Sequence, residues 1–223
     1  MPEQIRVSLN KIAEFAYASA RRREAIVKEH KHKPTFIAAG YKLVEDVLPR
    51  YFGSQMDAQI LQEQLATLSG LHSLTLLQKY SNGITGVNGL INFSALNIKE
   101  NVRYMPLPMN ASDGLYVEDV FINMRPDCLV LEENRCGTRV GALKLHFPMS
   151  NPLGDKAGVC VASMMFRYLN QSSTLPSKPK HTLCYSLDVP ANKAYKSSSG
   201  SKTVFANMEA ACRQYAQLWH AIP

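Results

Sequence analysis

Apolar residues recur at helical intervals through the first third of the chain. Leu9, Ile12, Ala13 and Ala16 alternate with Asn, Lys and Glu in steps of three and four, and Ser8 ahead of them is the natural N-cap. A second helix is predicted over "ASARRREAIVKEHKHKP", with Ala25, Ile26 and His30 facing inward, ending at Pro34. A third begins at Pro34 with a stripe of Phe36, Ile37, Tyr41, Val44 and Leu48; Pro49 should end or kink it and Gly53 close it. Asp57 caps a fourth, carrying Ile60, Leu61, Leu65 and Leu68 toward the core up to Gly70, and "LHSLTLLQKY" adds another.

At Val87 the texture changes. Residues 87–113 are rich in Asn, Gly and Pro and read as an irregular connection with one strand at 102–107. Beyond Gly114 three β runs follow, "LYVEDVFINM", "DCLVLEE" and "RVGALKLHF". A helix over "AGVCVASMMFRYLNQ" then directs Val159, Ala162, Met165 or Phe166 and Leu169 inward. It is followed by the strand "HTLCYSLDV", a short strand with a flexible basic loop in "PANKAYKSSSGSK", and a final amphipathic helix with Trp219. The predicted class is α+β: a helical region over 1–86, a connection over 87–113 and a mixed-sheet core over 114–223, in one compact unit.

Composition narrows the partners. The 223 residues are 46% apolar, enough for one substantial core, and 25 Lys and Arg against 18 Asp and Glu give a formal charge of +7, which suits nucleic acid. Five cysteines show no C-x-x-C pair, and His30 and His32 have no Cys nearby, so neither a disulfide framework nor a structural zinc site is predicted. No signal-peptide pattern and no run of about eighteen apolar residues occurs, so the expectation is a cytoplasmic protein without a membrane span. The chain contains neither G-x-x-x-x-G-K-[ST] nor G-x-S-x-G, and "NGITGVNG" lacks dinucleotide-loop spacing.

The chemistry concentrates in "RPDCLVLEENRCGTRVGALKLHF". A turn at Arg135 and Cys136 pairs residues whose numbers sum to about 271, setting Asp127 opposite Lys144 and Glu132 opposite Arg139. Alternation assigns Leu143, Leu145 and Phe147 to one face, and Ala142, Lys144 and His146 to the other.

Pro126-Asp127 followed, on the neighbouring strand, by Ala142-Leu143-Lys144 resembles the signature of the PD-(D/E)XK nuclease superfamily, and the order of elements resembles its restriction-endonuclease-like αβββαβ core. The resemblance implies Mg2+-dependent (or Mn2+-dependent) phosphodiester hydrolysis of nucleic acid, with Asp127 holding the metal and Lys144 orienting water, as in restriction, repair or antiviral defence. The family's second acid is replaced by Ala142. Glu45 on the third helix is the first candidate to supply the missing carboxylate, Glu24 the second, and His146 is a further candidate ligand; Glu132 and Glu133 lie too far along their strand.

Two alternatives stand beside the nuclease. The scaffold persists without hydrolysis, as a module binding DNA, a partner protein or a second copy of itself; or Asp127 is a hairpin-entry residue and Lys144 its ion-pair partner. Arg21, Arg22, Arg23, Lys28, Lys31 and Lys33 form either a phosphate-contacting helix or a solvated face with pairs such as Glu24 to Lys28.

Overall fold

The structure, a computed structural model, describes residues 4–32, 42–55, 57–69, 102–106, 114–148, 151–172, 175, 177–189, 191–199 and 201–223. Lys33, Phe36, Ile37 and Tyr41 of the third-helix stripe, the side chains of Val44, Glu45, Leu61, Leu65 and Leu68, segment 71–80 and most of 87–113 lie outside the described residues.

The chain is a mixed α+β fold whose first described element is a strand. β1 (Ile5–Ser8) buries Ile5 and Val7 and exposes Arg6 and Ser8. It runs directly into α1 (Leu9–Tyr17), where Ser8 Oγ accepts the Lys11 N–H and caps the helix. α2 (Ala20–Lys31) is capped in the same way by Ser19. α3 (Lys42–Gly53) continues through Pro49. A proline deletes one helical hydrogen bond, but Val47, Leu48, Tyr51 and Phe52 on either side of it are all buried, and that packing holds the helix across the break. α4 (Ala58–Ser69) starts where Asp57 Oδ1 accepts the Gln59 N–H at 2.9 Å.

The strands divide between two sheets. "LYVEDVFINM" is a hairpin and not one strand: β3 (Gly114–Val117) and β4 (Val120–Asn123) turn at Glu118, which adopts φ 53°. Phe121 and Tyr116 share a cross-strand pair, and β1 lies parallel to β4 on its other side, giving the order β1-β4-β3. The larger sheet is built from β2 (Val102–Met105), β5 (Cys128–Asn134), β6 (Gly137–His146), β8 (Tyr185–Asp188) and β9 (Lys193–Lys196) in that order, with β7 (Lys178–Pro179) beside the start of β6. β5 runs antiparallel to both of its neighbours, β2 and β6, α5 (Gly154–Gln171) carries the chain across, and β8 returns parallel to β6. A single 3-10 turn (His181–Leu183) precedes β8, and α6 (Ser201–Ala221) closes the fold.

Apolar layers cover both faces of the larger sheet. On one face Val140, Ala142 and Cys184 join a core that includes α1, α2, α5, α6 and the inner side of the small sheet. On the other, Cys128, Val130, Leu143, Leu145 and Leu187 meet Val47, Leu48, Tyr51 and Phe52 of α3. The Leu143–Leu145–Phe147 face is core, as alternation predicts, and the opposite face is covered as well, burying Ala142 and His146. α5 lies between sheet and helices and buries residues all round, including Cys160, Val161, Met164 and Met165, so the one-sided stripe read from its sequence is too narrow.

Candidate functional site

The β5–β6 register follows the sum of 271: Cys128 faces Leu143, Glu132 faces Arg139, and Arg135 and Cys136 form the turn. One step beyond β5, the Asp127 N–H still reaches Leu143 O at 2.9 Å. There the chain turns away at Arg125, whose φ of 32° lies in the left-handed region that costs an L-residue roughly 1–2 kcal/mol. β6 continues without its neighbour, leaving the polar groups of Leu145 without a strand to pair with. Asp127 Oδ2 accepts the Leu145 N–H at 2.7 Å, and Asn10 Nδ2, from the first turn of α1, donates to Leu145 O at 2.8 Å. Two side chains thus complete the ladder that the backbone leaves unfinished.

Asp127 and Lys144 are brought together. Lys144 Nζ stands 3.2 Å from the same Asp127 Oδ2 and donates to Arg125 O at 2.7 Å, with the two side chains 16% and 15% exposed. The ammonium thereby clamps the strained connection between the two sheets to β6. Ala142, where the resembled family has its second acid, is fully buried and paired with Leu129.

His146 is 4% exposed, and its Nε2–H donates to Asn151 O at 2.7 Å. Burial lowers its pKa from the ordinary histidine value, opposed by the Asn151 carbonyl and by the Asp188 and Glu14 carboxylates. Its register partner, Asp188, is fully buried and accepts the Leu153 N–H at 2.7 Å at the entrance to α5. His146 and Asp188 together fasten the β6–α5 connection.

A divalent ion of the Mg2+ type needs several oxygen ligands in near-octahedral array. Among the described residues, no group of three or more His, Cys, Asp or Glu side chains stands close enough together to hold a metal. Asp127 is the one carboxylate of the motif, its Oδ2 is engaged twice, and a methyl group occupies the next position, so these residues do not fit the ion. Glu45 lies on α3, which packs against the sheet face opposite to Ala142, Lys144 and His146; its side chain is outside the described residues. Glu24 is exposed and paired with Lys28 at 2.8 Å.

The basic helix is largely spoken for. Arg22 bridges Glu14 and Glu29, each at 2.7 Å. Arg23 donates to Phe15 O, Ala16 O and Gln214 Oε1, and Lys31 reaches the carbonyls of Trp219 and Ile222 at the end of α6. Of the predicted phosphate contacts, Arg21 alone is exposed with no ion-pair partner among the described residues.

Sequence reasoning missed Asn10 and Asp188 as partners of the site. Nothing local marks either; both acquire their roles from contacts with β6 and α5 that only the tertiary arrangement creates. No helix among the described residues is long and apolar enough to cross a membrane. No protein-family model, no curated protein and no solved structure matches this chain.

Proposed function

We propose that this chain is a non-catalytic nucleic-acid-binding module on a PD-(D/E)XK-like scaffold. Within the larger sheet the order α3, β2, β5, β6, α5, β8, with an antiparallel β2-β5-β6 run, a helical crossover and a parallel return, supports the αβββαβ comparison only with β2 as its first strand, because the "LYVEDVFINM" run expected there forms β3 and β4 of the smaller sheet; the Asp127–Lys144 contact at 3.2 Å supports it as well.

One observation carries the choice of a binding module over a hydrolase. Asp127 Oδ2 is committed to the Leu145 N–H and the Lys144 ammonium, while Ala142 is sealed in apolar core. A carboxylate that completes a β-ladder is a poor electrostatic platform for a leaving phosphate, which needs charge aimed into a solvent-connected site. The formal charge of +7 supports a polyanionic partner.

The test pairs binding with cleavage. Plasmid, single-stranded DNA and RNA are incubated with the protein in Mg2+ and in Mn2+, and binding is followed against salt. Salt-dependent binding with no cleavage is expected. Metal-dependent cleavage that disappears in both Asp127→Ala and Lys144→Ala would establish the nuclease instead.

A further inference from the structure

The basic helix was the sequence's candidate for phosphate contact, yet Arg22, Arg23, Lys28 and Lys31 are all engaged by other groups of the chain. Unpaired positive charge gathers elsewhere, at the turn end of the β5–β6 hairpin, at the end of β6 remote from Lys144. Arg139 of β6 has Glu132 as its register partner on one side and Lys178 of β7 on the other. Paired residues on adjacent strands point to the same face, and their backbones lie about 4.8 Å apart. Glu132, 6% exposed, is already bound to Lys180 at 2.5 Å. Arg139 and Lys178 are therefore like charges set side by side, an arrangement that disfavours a sheet. Neither has an ion-pair partner among the described residues, and Arg135 stands exposed in the adjoining turn. Four cations, Arg135, Arg139, Lys178 and Lys180, thus share one acid, Glu132. The neighbouring Arg103–Glu133 pair neutralises itself.

We propose that this cluster is the surface on which the chain binds the phosphodiester backbone of nucleic acid, with Arg139 and Lys178 making the principal contacts. The inference rests on the nucleic-acid reading above and adds a location to it. A phosphate between the two side chains relieves their repulsion, and the Arg guanidinium adds directional donors that suit phosphate oxygens. The site lies away from Asp127 and Lys144, so binding here is independent of the nuclease-like motif.

Fluorescence anisotropy tests the location, using labelled single-stranded DNA, its duplex and the matching RNA across a KCl series. The native protein is compared with Arg139→Gln/Lys178→Gln and with Arg50→Gln/Lys156→Gln, which removes equal charge from exposed positions elsewhere. The patch variant should bind about tenfold more weakly at low salt, and its log K against log salt slope should be shallower by about 1.4 to 1.8, two phosphate contacts' worth. The control variant should keep the native slope, and the preferred probe identifies DNA or RNA as the source of the phosphates. Native affinity and slope in the patch variant would move the interface elsewhere while leaving nucleic-acid binding intact. Equal losses in both variants would reduce the effect to net charge and overturn the location. Failure of the native protein to bind any probe would remove the nucleic-acid reading itself. Both variants change side chains with solvent access, and thermal melts identify any that misfold; single substitutions at Arg139 and Lys178 then carry the comparison.

Discussion

Asp127 substitutes for a missing strand: its carboxylate accepts the Leu145 N–H at 2.7 Å, where β5 has already turned away. The expected outcome of Asp127→Ala is a loss of about 2–3 kcal/mol, the range for a charge-assisted hydrogen bond removed from a partly buried site, because the Leu145 N–H and the Lys144 ammonium both lose an acceptor. Asp127→Asn keeps an acceptor for Leu145 and should lose less. Urea denaturation of the three proteins measures the difference.

Restoring the family's acid should not restore its chemistry. Ala142→Glu forces a larger, charged side chain into a position with no exposed surface, at an expected cost of about 3 kcal/mol or more. Thermal melts with and without Mn2+ check this; a stable variant with a new, saturable metal-dependent rise in Tm would contradict it.

The native protein should likewise be indifferent to divalent ions. Lys144 already supplies the positive charge beside Asp127, so its Tm is expected to be the same in EDTA, Mg2+ and Mn2+. A saturable stabilisation by either ion that vanishes in Asp127→Asn would reveal a metal site there.

Acid should weaken the fold through His146. Burial keeps the folded imidazole's pKa low, whereas the unfolded chain protonates at its ordinary value of about 6.5. The unfolded state therefore binds more protons below that value, and stability, full above it, falls as pH drops, by at most about 1.4 kcal/mol per pH unit. His146→Gln removes this component, so its urea midpoint should depend less on pH between about 7 and about 5.5. At Glu14, burial acts to raise the carboxyl's pKa, but hydrogen bonds from Lys11 and Arg22 outweigh this and hold it below the ordinary carboxylate value.

Thiol chemistry offers a check on the packing. Cys136 is exposed in the hairpin turn, while Cys128, Cys160, Cys184 and Cys212 are buried. Burial pushes the Cys160, Cys184 and Cys212 thiols up to about 12 and Cys128 well above its ordinary value. One fast-reacting thiol is expected with Ellman's reagent in the native protein, and five after denaturation.

The hairpin was legible because its register is local: the turn at Arg135 and Cys136 fixes every pair down to Cys128 and Leu143. β1 was not. Its four residues are too short to show alternation, and its partner, β4, lies more than a hundred positions away. The break at Glu118 was hidden because a two-residue turn of acids looks like the solvent side of one long strand. The site was legible as a juxtaposition and not as a role. Sequence spacing puts Asp127 beside Lys144, but whether that carboxylate serves a metal or the backbone depends on where Arg125 turns and on Asn10 arriving from α1. The internal partners of the basic run were hidden for the same reason, since Gln214 and the carbonyls of Trp219 and Ile222 are remote in sequence from Arg23 and Lys31.

The docking of α1 and α2 against α6 also dictates an order of events during synthesis. Phe15 and His30 rest on Tyr215 and Trp219, so the apolar sides of two early helices emerge from the ribosome nearly two hundred residues before their cover does. A nascent chain stalled ahead of α6 leaves that oily surface open to water, the kind of exposure that invites aggregation.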